Sequence, residues 1–226
     1  MQIKKILSLF SLYVSFSLIS KSYQQSFEID DEIDDEVEDI DNNSHQQCAN
    51  DIIFGNQLMK NDCCDNLHFK CQDTDITEII LQNNELSGKL SETIGNISSL
   101  ELLNLSSNKL TGNLPESINK LQKLKTLYLY DNELSGSIPD SISKLTELEK
   151  LYLYNNQLSG KLPKSLGEMH HLTHLLLGNN KIKGNIPSNI GLLQNIKVIS
   201  FLKNSLDGEI PKTMGNLESL ESLYVL

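Results

Sequence analysis

Six consecutive stretches of 24 residues share one frame, and this periodicity constrains the chain more than any other feature. Units begin at Ile76, Leu100, Leu124, Leu148, Leu172 and Ile196, and a partial seventh begins at Leu220. The ninth position is always asparagine: Asn84, Asn108, Asn132, Asn156, Asn180 and Asn204. The thirteenth is always glycine, from Gly88 to Gly208, and all five prolines (Pro115, Pro139, Pro163, Pro187, Pro211) occupy the sixteenth. The first unit breaks the proline rule with Ser91. The first, fourth and sixth positions are apolar, which predicts a short strand with those side chains inward. No unit can bury its apolar side alone, so the units must stack into one continuous core. The expected class is an α/β repeat solenoid. An asparagine amide carries two donors and an acceptor, so a stack of them can satisfy turn backbone groups buried between coils. Glycine permits a tight bend, and proline marks an irregular or edge segment that cannot donate to a ladder.

Charge is placed unevenly around this repeat. The net charge is −11, and residues 28–41 hold ten acids and no base. Residues 76–226 hold 14 lysines and 15 acids, so no basic nucleic-acid surface is expected. The chain has no arginine, which removes bidentate guanidinium recognition. Residues 1–22 read as a signal peptide, with MQIKK ahead of an apolar run too short to span a bilayer. Residues 23–47 read as an acidic disordered spacer. Residues 48–75 hold all four cysteines: Cys48, Cys63, Cys64 and Cys71. In a secreted chain these imply two disulfides with three possible connectivities. Adjacent Cα atoms lie about 3.8 Å apart, below the usual disulfide range, which disfavours Cys63–Cys64. Zinc binding is the rival reading of the same residues.

The third, fifth, seventh and eighth positions of each unit face the open side of the predicted sheet. Tyr128 and Tyr152 fall on the fifth position and Tyr130 and Tyr154 on the seventh, while Tyr224 repeats the fifth. The four central rings are expected to form one patch, with Asp131, Lys150, His174 and Leu176 beside it. Tyrosine suits a binding surface because it offers area, a hydroxyl and little entropy to lose. It is also a good strand residue whose cross-strand pairs stabilise sheets, and repeat duplication copies it without selection. A protein, peptide or glycan ligand is expected. His170, His171 and His174 form HHxxH, but straddle a loop and a strand start rather than one helix face, so no metal site is expected. No nucleophile–base pair or phosphate loop stands out, so neither an enzyme nor a cofactor is expected. Glycosylation sequons begin at Asn42, Asn96 and Asn104, the last on the open face. The sequence stops seven residues into a repeat, and an uncapped strand there exposes an edge. The expectation is either self-association through that edge or a truncated receptor ectodomain.

The repeat LxxLxLxxNxLxGxIPxxIGxLxx resembles the plant-type leucine-rich repeat over about two-thirds of the chain. The stretch CCDNLHFKC resembles that family's N-terminal cap, commonly CCxWxGVxC, with Asn66, His68 and Phe69 as departures. The resemblance implies a right-handed solenoid with a parallel concave sheet and disulfides Cys48–Cys63 and Cys64–Cys71. It implies a secreted, non-catalytic recognition module similar to receptor-kinase and receptor-like-protein ectodomains and polygalacturonase-inhibitor proteins. The ligand would be a protein, a peptide or a polysaccharide-related molecule on the concave face.

Overall fold

The computed structural model describes residues 48, 52–55, 63–64 and 67–225. The signal-peptide, acidic-spacer and Asn42 expectations lie outside these residues. Two strands open the array, β1 (Phe69–Gln72) and β2 (Asp75–Ile80). β3 (Ser87–Lys89) shares the first unit with β2, and the next units add the pairs β4 (Leu102–Asn104) and β5 (Lys109–Gly112), β6 (Thr126–Tyr128) and β7 (Glu133–Ser137), and β8 (Lys150–Tyr152) and β9 (Gln157–Gly160). β10 (His174–Leu176), β11 (Lys181–Gly184), β12 (Val198–Ser200), β13 (Ser205–Leu206) and β14 (Ser222–Tyr224) complete the series. A five-residue 3-10 helix closes each unit, from Glu92–Asn96 to Lys212–Asn216.

The strands form two sheets. The larger runs β1-β2-β4-β6-β8-β10-β12-β14, parallel throughout except for the antiparallel β1–β2 pair. The second runs β13-β11-β9-β7-β5-β3. Sequence reading assigned one strand to each unit and an irregular or edge segment at the proline, and did not foresee this second sheet. Its strands, such as KLTG and KIKG, are short and glycine-ended, with too few residues to show alternation. The inward positions are as expected. Leu124, Leu127 and Leu129, and Leu148, Leu151 and Leu153, are fully buried, as are Ile118, Ile142 and Leu166 from the 3-10 helices.

The asparagines hold successive units together. Asn132 Oδ1 accepts from the Leu110 N–H at 2.9 Å, and its Nδ2 donates to Leu105 O at 2.9 Å, both in the preceding unit. The same two bonds link Asn108 to Leu86 and Leu81, Asn156 to Leu134 and Leu129, Asn180 to Leu158 and Leu153, and Asn204 to Ile182 and Leu177.

The N-terminal end is closed by the cap. Disulfides join Cys48 to Cys63 and Cys64 to Cys71, and Ile52, Ile53 and Phe69 enter the core. Ser91 now has a physical reason to replace proline. Its N–H donates to Ile53 O of the cap at 2.8 Å, a bond proline cannot make. Its hydroxyl also caps the first 3-10 helix by accepting from the Thr93 N–H. Prolines at later units offer no side-chain cap. For the second unit the neighbour supplies one: the Glu92 carboxylate accepts from the Glu116 and Ser117 N–H groups at 3.2 and 2.9 Å. The Ser117 N–H is the main reason the Glu92 pKa lies below its ordinary value.

Three outcomes follow from this packing. Asn156→Ala strands the buried Leu134 N–H and leaves Leu129 O and Leu153 O with only the neighbouring asparagines' amides, which costs roughly 2 kcal/mol in urea unfolding; a loss under about 1 kcal/mol would remove the ladder from its central place. Ser91→Pro loosens the cap, read as faster amide exchange at Ile79 and Leu81, whereas unchanged exchange contradicts the cap contact. Because the folded Glu92 pKa is depressed, its contribution is present above the ordinary carboxylate pKa and is lost as pH falls through the folded value. The stability gap between wild type and Glu92→Gln therefore closes below about pH 4, and a gap constant from neutral to acid pH would refute the cap.

Candidate functional site on the concave sheet

Strand pairing in register carries residues of equal repeat position into rows across the larger sheet. Tyr128 pairs with Tyr152, and Lys150 with Thr126 and His174. The backbone ladder continues past the strand ends, where Asp131 N–H donates to Tyr154 O. Strands about 4.8 Å apart allow rings in one row to stack. Tyr128 and Tyr152 do so with centroids 4.5 Å apart and planes 23° apart. Tyr130 and Tyr154 do so at 4.6 Å and 8°. The two columns meet as tilted pairs at 6.1 Å (Tyr128–Tyr130) and 6.4 Å (Tyr152–Tyr154). His174 extends the first column, 6.2 Å from Tyr152 and tilted by 59°. The structure thus gathers four tyrosines and a histidine into one aromatic cluster.

The other expected site residues take different places. Lys150 and His174 are half-buried beside the rings, and Tyr130 is buried. Leu176 is also buried, in register with Tyr152 and Ser200, so it floors the patch rather than offering exposed contact area. Asp131 is exposed and accepts from Asn155 Nδ2, while Asn155 Oδ1 accepts from Asn179 Nδ2 at 2.8 Å. This second amide ladder occupies the eighth position, where Asp131, Asn155 and Asn179 have φ of 52–54°. Sequence reading missed it. Asp and Asn recurring at one position that needs the left-handed region was the available signal.

Asn104 stands on β4, within the larger sheet. Its side chain is buried, its Oδ1 accepts from the Ser106 N–H and hydroxyl, and its Nδ2 donates to Gln82 Oε1. The nitrogen that would carry a glycan therefore donates to a neighbouring side chain rather than standing clear of the sheet. Asn96 is exposed at the end of its 3-10 helix. The HHxxH residues are not brought together. His170 and His171 are exposed in a turn, with His171 Nδ1 3.6 Å from Glu147 Oε2, while His174 stands on β10. Among the described residues no group of three or more His, Cys, Asp or Glu is placed to hold a metal, and no helix is long and apolar enough to cross a membrane.

Known proteins place this architecture. A leucine-rich-repeat family model matches residues 122–182, and a second matches 99–121. No curated protein matches the chain in sequence. Among solved structures, pollen receptor kinase 3 is 32% identical with a TM-score of 0.64, over 71% of this chain and 79% of that one. The plant peptide hormone receptor RGFR1, in complex with RGF2, is 39% identical with a TM-score of 0.65, over 66% of this chain and 24% of that one. The Arabidopsis receptor kinase HAESA, in complex with the peptide hormone IDA and the co-receptor SERK1, is 28% identical with a TM-score of 0.70, over 81% and 30%. The chain thus spans under a third of these larger receptors, and 17% of the GASSHO1/SCHENGEN3 ectodomain. The repeat frame, the two-sheet solenoid with its disulfide cap and these matches agree: the chain belongs to the plant-type leucine-rich-repeat family.

Proposed function

We propose that this chain is an extracellular, non-catalytic recognition module that binds an extended protein or peptide segment across the concave sheet. The observation that carries this reading is the stacked tyrosine cluster. Three half-buried rings, backed by the buried Tyr130 and held by the sheet, provide a broad amphipathic surface that loses little entropy on binding. Tyrosine is among the residues that dominate binding energy at interfaces. Two similar structures, those of RGFR1 and HAESA, hold peptide hormones or their receptors' named ligands, which supports a peptide over other ligand classes. The disulfides suit an oxidising, extracellular compartment, in keeping with a cleaved signal at residues 1–22 and a solvated spacer at 23–47. Asn96 is the sequon best placed to carry a glycan.

The test is selection of random decapeptides displayed on phage against the full chain. Peptides enriched on wild type lose about thirtyfold or more in affinity on the variant carrying Tyr128→Ala and Tyr152→Ala, the scale of an interface hot spot. Circular dichroism and urea unfolding of that variant report whether the solenoid persists. Selected peptides that bind the folded double variant as tightly as wild type would place recognition elsewhere.

A further inference from the structure

Charge is distributed across the tyrosine cluster in one direction. The third-position row reads Glu78, Leu102, Thr126, Lys150, His174, Val198 and Ser222 along the register of the larger sheet. Its only acid, Glu78, lies two strands before Thr126 and is held by Lys70 at 2.9 Å. Its two basic residues are therefore direct neighbours, Lys150 on β8 and His174 on β10. On the far side of the rings, the eighth-position row carries the acid Asp131 beside the tyrosines, and its one base, Lys203, lies three units further on.

The hydrogen bonds around His174 assign its proton. The Thr173 hydroxyl donates its single hydrogen to Glu149 O at 2.9 Å. Its contact with His174 Nδ1 at 2.8 Å must then be an acceptance from Nδ1–H. Nε2 is accordingly the nitrogen that gains the second proton when the ring titrates. The elements packed against the ring contribute Lys150 and Tyr152 from β8, and Val198 and Ser200, neither titratable near neutral pH, from β12. Glu149 and Lys197 precede those strands with exposed side chains.

We propose that Lys150 and His174 form an anion subsite at one edge of the tyrosine cluster, taking a carboxylate side chain of the bound peptide and holding it more tightly once His174 is protonated. This rests on the peptide-binding reading above. An anion placed beside two neighbouring cations gains an attraction from each. An imidazole with an ordinary pKa near 6.5 changes charge in mildly acidic solution, where a peptide carboxylate is still ionised. The sign is therefore fixed: affinity rises as pH falls through the imidazole range. The preferred segment has Asp or Glu next to an aromatic or apolar residue that meets the rings.

The same phage library is selected on the full chain at about pH 5.5, inside the window where imidazole is protonated. Enriched decapeptides carry an acid beside an aromatic or apolar residue. Raising the pH to about 7.5 weakens a selected peptide about fivefold, the scale of one exposed ion pair. His174→Gln abolishes that pH step, as does Asp→Asn or Glu→Gln in the peptide, and Lys150→Gln weakens binding at both pH values. Peptides that need Tyr128 and Tyr152 but show no acid enrichment overturn the subsite and leave the peptide-binding reading standing. A pH step that survives His174→Gln overturns it as well. Selection that yields no tyrosine-dependent peptide sinks both.

Discussion

Everything in this fold depends on the asparagine at the ninth position of each unit. The strands of the larger sheet that follow β2 are three residues long, too short to stand alone. Between them the chain must turn inside a stacked core, where a backbone group without a partner is costly. From Asn108 onward, the asparagines meet that demand by accepting an N–H and donating to a carbonyl of the unit before, and by donating to carbonyls of their own unit. The bonds run between units, so they fix the spacing from one strand to the next. The tyrosine columns inherit that spacing: stacking at 4.5 and 4.6 Å is what two rings do when the backbone holds their strands about 4.8 Å apart. The geometry of the candidate site is a consequence of a ladder buried beneath it.

Whatever one unit must do for itself was legible in the sequence. Apolar side chains at the first, fourth and sixth positions declare which way the strand faces, and the structure buries all three. From that facing alone, the tyrosines could be assigned to the concave side and to neighbouring columns. What one unit does for another was less legible. The second sheet, the Glu92 cap on the next 3-10 helix and the Asp131–Asn155–Asn179 chain are inter-unit bonds made by polar residues. Hydrophobic periodicity carries no trace of them. Ser91 is instructive because it registered only as a broken rule. The reason for the break is a single bond from its N–H to Ile53 O, 38 positions earlier in the sequence. Asn104 shows the converse, a sequon that matches a motif while its amide is engaged inside the sheet.

Under the proposed function the tyrosine cluster serves two roles at once, and the two are not in competition. Stacked cross-strand pairs stabilise the sheet they stand on, and the same stacking holds each ring in one orientation before a ligand arrives. A preorganised surface gives up less entropy on binding than a mobile one. The outer amide ladder adds to this by tying the eighth-position side chains of three units together along one margin of the cluster. The opposite margin carries Lys150 and His174. The face is therefore chemically different at its two sides, which under the proposed function would give a bound segment a direction as well as a place.

This division of labour explains why the family assignment and the ligand question separate so cleanly. The first, fourth, sixth, ninth and thirteenth positions are committed to core, ladder and bend in every complete unit. The third, fifth, seventh and eighth are committed to nothing that stacking requires, apart from the left-handed backbone of the eighth. Those free positions hold glutamate, leucine, threonine, lysine, histidine and valine along one row alone. A solenoid built this way can change what it recognises without disturbing what holds it together. Likeness to other leucine-rich-repeat chains therefore reports on the committed positions, and under the proposed function the identity of the ligand is written in the others.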